Sequence, residues 1–151
     1  MPPPDPVLLE NTIDWLKRAR EDLGTAEFTL AAPDAFIRSS LFHSQQAVEK
    51  AMKALLTWHD VPFRATHNLV ELGDACAAVD RGLMPAVDAA VALTKYATRF
   101  RYPGAPYEPE VKEAEEALRV AKSFLEALCA RLPADVVSGA GLAGVFPPSS
   151  R

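Results

Sequence analysis

The run Phe42-His43-Ser44-Gln45-Gln46-Ala47-Val48-Glu49-Lys50-Ala51-Met52-Lys53-Ala54-Leu55-Leu56 decides how this chain folds. On a helical wheel at about 100° per residue, Leu41, Val48, Met52 and Leu55 share one face, with Gln45 and Glu49 at its edge beside Phe42 and Leu56. A polar group withdrawn from water is costly unless its hydrogen bonds are met, so Gln45 and Glu49 call for internal partners or a ligand. The opposite face is read as His43, Gln46, Lys50 and Lys53, interleaved with Ala47 and Ala54. Taken alone, its charges describe a solvated surface. Its alanines would also let a second helix approach closely, which suits an element buried on two sides at a dimer contact.

The sequence on either side reads as more helix. From Val7 to Ala31, Leu8, Ile13, Leu16, Ala19, Leu23, Ala26 and Leu30 recur at three- and four-residue steps, and Pro33 ends the pattern. The second helix is expected from near Asp34 to Trp58, before Val61-Pro62. Asn68 followed by Glu71 has the spacing of a capping box for a third helix through Leu69, Leu72, Cys76 and Val79, stopping at Gly82. Pro85 suits the first turn of a fourth helix that carries Val87, Val91, Leu93 and Tyr96 towards Phe100. The segment Tyr102-Pro103-Gly104-Ala105-Pro106-Tyr107-Glu108-Pro109 cannot continue a helix and must redirect the chain, as an ordered turn or a mobile loop. From Glu110 a fifth helix is expected to Leu132, closed by Pro133. The expected organisation is an N-terminal extension over 1–6, one helical domain over 7–132 and a flexible tail over 133–151, with Val145-Phe146 as the tail's one docking point. The fold class is all-α, an up-and-down antiparallel bundle of about five helices.

Composition narrows the function. A chain of 151 residues, 49% hydrophobic, can bury one sizeable core. A net charge of -4 and a pI near 5.4 argue against a broadly electrostatic nucleic-acid binder, although a local basic patch is compatible with them. Cys76 and Cys129 lack the short paired spacing of metal or redox sites and read as reduced core residues. The sequence offers no secretion signal or membrane span, so it reads as cytoplasmic. It has no metal-ligand cluster, phosphate loop or cofactor motif either; Gly139-Ala140-Gly141 follows no strand and lacks the lysine.

Arg99 and Arg101, set among Tyr96, Tyr102 and Tyr107, combine guanidinium groups with aromatic faces around a turn. Such a set holds phosphate and stacks on a base, or else the tyrosines brace the turn and the arginines cap the fourth helix. His67 reads as a capping or loop-packing residue, and His59 has no evident partner.

Three ordered stretches, the Phe42 to Leu56 run, Thr66-His67-Asn68-Leu69 with Leu72, and Arg101-Tyr102-Pro103-Gly104, resemble the HEPN domain family over most of Val7 to Leu132. The resemblance implies a helical bundle that commonly dimerises, association with nucleotides or RNA, and frequent pairing with a small nucleotidyltransferase. In many branches it also implies ribonuclease activity in toxin–antitoxin or defence systems. The ribonuclease branches carry an arginine followed after four to six residues by a histidine. After Arg99 those positions hold Gly104, Ala105 and Pro106, and after Arg101 they hold Pro106, Tyr107 and Glu108, so the histidine is missing. Arg38 and His43 have the formal spacing, but five helical residues rotate their side chains about 140° apart.

The sequence therefore predicts a non-catalytic, dimeric nucleotide- or RNA-associated module, with Arg99, Arg101, Tyr102, Gln45, Glu49 and Lys53 as ligand-binding residues and a nucleotidyltransferase as partner. Two alternatives stand beside it. One is a metal-independent toxin ribonuclease; the other is a scaffolding dimer whose buried polar groups fix its register.

Overall fold

The computed structural model describes residues 3–146, and its regular structure is entirely helical. Helix α1 spans Pro6–Ala31; Asp5 caps it by accepting the Val7 N–H at 2.9 Å, and Pro6 fills the first turn, where its missing N–H costs nothing. Helix α2 spans Ile37–Trp58, three residues shorter at its start than the Asp34 expectation. The reason is the turn between the helices, in which the Phe36 N–H folds back onto the Thr29 carbonyl at 2.9 Å. Helix α3 covers Leu69–Val79, with the Asn68 side chain accepting the Val70 N–H. The reciprocal half of the capping box does not form, because Glu71 takes a bidentate contact from Arg64 instead. That contact holds the Glu71 carboxyl below its ordinary range.

The expected fourth helix is divided. Helix α4 runs only over Met84–Ala90, with Pro85 in its first turn, and tightens into a 3₁₀ segment over Val91–Ala97. Helix α5 spans Val111–Cys129 and α6 spans Ala134–Gly139. The central element is α2: α1, α3, α5 and the Val91–Ala97 segment all pack on it. Leu16, Leu41, Met52, Leu55, Leu72, Leu83, Phe124 and Leu125 form the interior. Where α3 meets α4 the approach is close enough that a Cβ on Gly73 would stand 2.5 Å from Val87 Cγ1, so only glycine fits. Among the described residues, no helix is long and apolar enough to cross a membrane.

Two expectations are corrected. Ala47 and Ala54 are fully buried within the single chain and do not form an outer face. On either side of Ala47, His43, which lies 2.8 Å from Asp22, and Lys50 both contact Asp22 of α1, and Ser40 Oγ donates to the Ala26 carbonyl at 2.8 Å, so the small residues admit α1 of the same molecule. The second correction concerns the tail expected over 133–151. Residues Ala134–Gly139 are helical, and Val136, Ala140 and Leu142 are buried against the bundle. Scattered apolar residues without a period hid a single short turn of helix followed by a hydrophobic anchor. Phe146 packs on the core as expected, whereas Val145 is exposed. Residues 147–151 of that tail, and residues 1–2 of the N-terminal extension, lie outside the described residues.

Candidate functional site: a polar row on α2 and the arginine turn

Phe42, Gln45, Gln46, Glu49 and Lys53 fall on one stripe of α2, since steps of three, four and seven residues return to the same side of a helix. Gln46 and Lys53 thus belong with Glu49 and not with the opposite face, and both are buried. Gln46 Nε2 donates to Gln45 Oε1 at 2.6 Å, and Gln45 Nε2 donates to Glu49 Oε1 and to the His67 carbonyl, each at 3.3 Å. Lys53 Nζ donates to Glu49 Oε2 at 3.2 Å, while His67 Nδ1 lies 2.8 Å from Glu49 Oε1. The Lys53 ammonium also sits 5.4 Å from the Trp15 ring centroid and 5.9 Å from that of Phe63, so its stem is sheltered and its charge faces π density. Glu49 is the hub of a satisfied network, which answers the demand its burial created.

A second carboxylate–histidine pair lies between α1 and α2. Asp22 contacts His43 Nδ1 through Oδ1 and Lys50 Nζ through Oδ2. Arg38 pairs with Glu108, and among the described residues no hydrogen bond or ion pair joins it to His43.

The turn after the 3₁₀ segment supplies the third group. The Arg101 guanidinium lies 5.1 Å from the Phe42 ring centroid, at the α2 end of the polar row, and Arg99 lies 6.0 Å from the Tyr107 ring. Among the described residues neither arginine forms an ion pair. Tyr102 is 69% exposed beside them. The loop behind is braced: Tyr96 Oη and Tyr107 Oη donate to the same Glu113 oxygen at 2.5 and 2.6 Å. Burial and then the Glu113 carboxylate push the Tyr96 hydroxyl above its ordinary range; for Tyr107 the bond to Glu113 is the main cause. The tyrosine brace anticipated from the sequence is thus made by Tyr96 and Tyr107, not by Tyr102.

Of the six residues nominated from the sequence, Gln45, Glu49 and Lys53 are joined in one network, while Arg99, Arg101 and Tyr102 share the turn; Phe42 is the link between the two groups. Sequence reasoning missed Asp22 as a partner of His43, His67 as a partner of Glu49, and Glu113 as the brace. The Glu49 to Lys53 spacing of four was a usable signal for an ion pair. The other contacts join residues far apart in sequence and had none.

Comparison with known proteins gives a consistent placement. A protein of Methanocaldococcus jannaschii described as "Putative toxin MJ1304" is 32% identical over 134 residues, covering 76% of this chain and 83% of that protein. The solved structure of TT1696 from Thermus thermophilus covers 80% of this chain and 98% of its own, at 30% identity and a TM-score of 0.62. ST0689, described as an archaeal HEPN homologue, has the same TM-score of 0.62 at 25% identity, over 80% of this chain and 96% of its own. The sequence profile of the HEPN domain matches residues 12–132, from the first turns of α1 to the end of α5 and the residues just beyond it, and the chain belongs to that family.

Proposed function

We propose that this HEPN protein binds a phosphate-bearing ligand, a nucleotide or RNA, at the Arg99-Arg101-Tyr102 turn without cleaving it, as the cytoplasmic partner of a small nucleotidyltransferase in a two-component system. The observation that carries this reading is the pair of guanidinium groups held over Phe42 and Tyr107 without a carboxylate partner among the described residues. Guanidinium groups so presented bind phosphate through charge-assisted forked bonds, and the exposure of the Tyr102 ring supports a role in stacking on a base. Gln45, Glu49 and Lys53 serve this site from behind, by holding His67 and the α2 surface in place. The test is calorimetric titration with a nucleoside diphosphate and with a short RNA: Arg101→Ala should weaken binding by roughly 1–3 kcal/mol with the circular dichroism unchanged. Equal affinity of the variant would remove the turn from the site.

The homodimer remains part of the proposal, with its contact moved from the alanine face to the exposed Phe36, which lines a cleft with Arg38, and to the exposed Phe28 of α1. Sedimentation as a monomer at micromolar concentration would remove it.

A second reading, a ribonuclease toxin, is favoured by one observation and by the toxin description of the relative. The ring of His43, held by Asp22, stands 5.2 Å from that of Phe42, and the Arg101 guanidinium lies 5.1 Å from the same Phe42 ring, so a base and a cation flank one side chain. Degradation of RNA in the presence of EDTA, lost in His43→Ala, would replace the non-catalytic reading with this one.

A further inference from the structure

Arg38, in the first turn of α2, and Glu108, in the proline-rich segment after Arg101, form an ion pair across 70 positions of sequence. A closed circuit of contacts ties this pair to the arginine turn. Arg38 and Phe42 are four residues apart on α2, one turn or roughly 6 Å along the same side. The Arg101 guanidinium lies 5.1 Å from the Phe42 ring centroid, and Arg99, two residues before it, lies 6.0 Å from that of Tyr107. Tyr107 directly precedes Glu108, whose carboxylate returns to Arg38. Three guanidinium groups therefore stand on the rim of one ring of side chains.

Two carboxylates reach this ring, and they are held differently. Glu113 accepts the hydroxyls of both Tyr96 and Tyr107. Glu108 makes one side-chain bond, a single oxygen to a single nitrogen of Arg38, and 76% of its side chain remains in water, with 54% of that of Arg38. An exposed, single-point ion pair contributes little and is readily exchanged. The backbone does not hold Glu108 either: among the described residues, 102–109 make no backbone–backbone hydrogen bond. A terminal phosphate brings three oxygens and a charge of about -1.5 to -2 at neutral pH, enough to bridge guanidinium groups that one carboxylate engages singly.

We propose that Glu108 is a built-in counter-ion that occupies Arg38 in the free protein, and that a phosphate bound at Arg99 and Arg101 displaces it and takes Arg38 as a third guanidinium. The proposal rests on phosphate binding at the arginine turn and adds its regulation: the chain carries its own competitor for the site. The exchange is of ion pairs alone and makes or breaks no covalent bond.

The experiment is calorimetric titration of the full chain with inorganic pyrophosphate at low ionic strength. Glu108→Gln should bind pyrophosphate roughly two- to fivefold more tightly than wild type, the scale of an exposed ion pair. Glu110→Gln removes the same charge from an exposed neighbour whose side chain caps nothing, and should change the affinity by less than about twofold. Adding Arg38→Ala to Glu108→Gln should abolish the gain, because the guanidinium that was released is gone. The substituted side chains are exposed, so the circular dichroism of each variant should match wild type. No gain in Glu108→Gln, an equal gain in Glu110→Gln, or a gain that survives Arg38→Ala overturns the counter-ion assignment. Pyrophosphate that binds neither wild type nor Glu108→Gln, or that binds Arg101→Ala as tightly as wild type, overturns instead the phosphate site, and the assignment falls with it.

Discussion

Lys53 Nζ lies 3.2 Å from Glu49 Oε2, and the two side chains keep only 10% and 3% of their surface in water. The pair is one helical step apart, so its geometry is set by α2 itself and survives small movements of the loop that carries His67. Removing the cation alone leaves a buried carboxylate with only Gln45 and His67 to meet it. Lys53→Met should therefore cost about 3–5 kcal/mol in urea denaturation, and adding Glu49→Gln should return most of that loss. A single-variant loss within about 0.5 kcal/mol would mean that water reaches the pair.

Leu142 and Val136 put the residues after Pro133 into the folded unit. Leu142→Ala should lower stability by about 2–5 kcal/mol, because Leu142 is fully enclosed and a cavity remains where its side chain was. Ending the chain at Ala134 should lower the melting temperature further, since Val136 and Ala140 are lost with it. Thermal unfolding of the truncated chain at the wild-type temperature would return this segment to the status of a dispensable tail.

The bundle was legible because apolar residues at three- and four-residue steps identify helices before any contact is known, and Pro33, Pro85 and Pro133 punctuate them. The site was legible only as a list. Gln45 and Glu49 were flagged by their cost of burial, but that cost says nothing about which partner meets it, and His67 comes from a segment eighteen residues away. The face of α2 bearing Ala47 was misread for a similar reason. Small residues announce a close neighbour without saying whether it is α1 or a second molecule. Ala47→Glu should consequently unfold the chain, as an unpaired charge in the α1–α2 contact, and not merely dissociate an assembly.

Cys76 and Cys129 are buried, and burial pushes their thiols up to about 12 and about 11. The thiolate is the reactive form, so neither residue should react with a disulfide reagent at pH 8 in the native protein. Both should react at once in denaturant. Stoichiometric reaction of either thiol without denaturant would show that the α3 or α5 region opens on the timescale of the assay.

Tyr96 and Tyr107 both donate to Glu113 Oε1, and that bond requires their hydroxyls to be neutral. Both are raised above the ordinary tyrosine range, Tyr96 chiefly by burial and Tyr107 chiefly by its bond to Glu113. A group whose folded value is raised contributes stability in full below its unfolded value, here about 10, and loses that contribution as pH climbs from there through the folded value. The stability contributed by the brace should be unchanged from pH 7 to about pH 9 and decline above about pH 10. Tyr96→Phe should cost about 1–3 kcal/mol at pH 7, the range of a hydrogen bond to a charged acceptor. Above pH 10 its deficit relative to wild type should shrink, because ionisation of the tyrosine in the unfolded chain then offsets the bond that the folded state still keeps. Denaturation of the two proteins at pH 8 and pH 10.5 checks this, and a deficit that stays constant or grows with pH would show that Tyr96 supports the turn by packing alone.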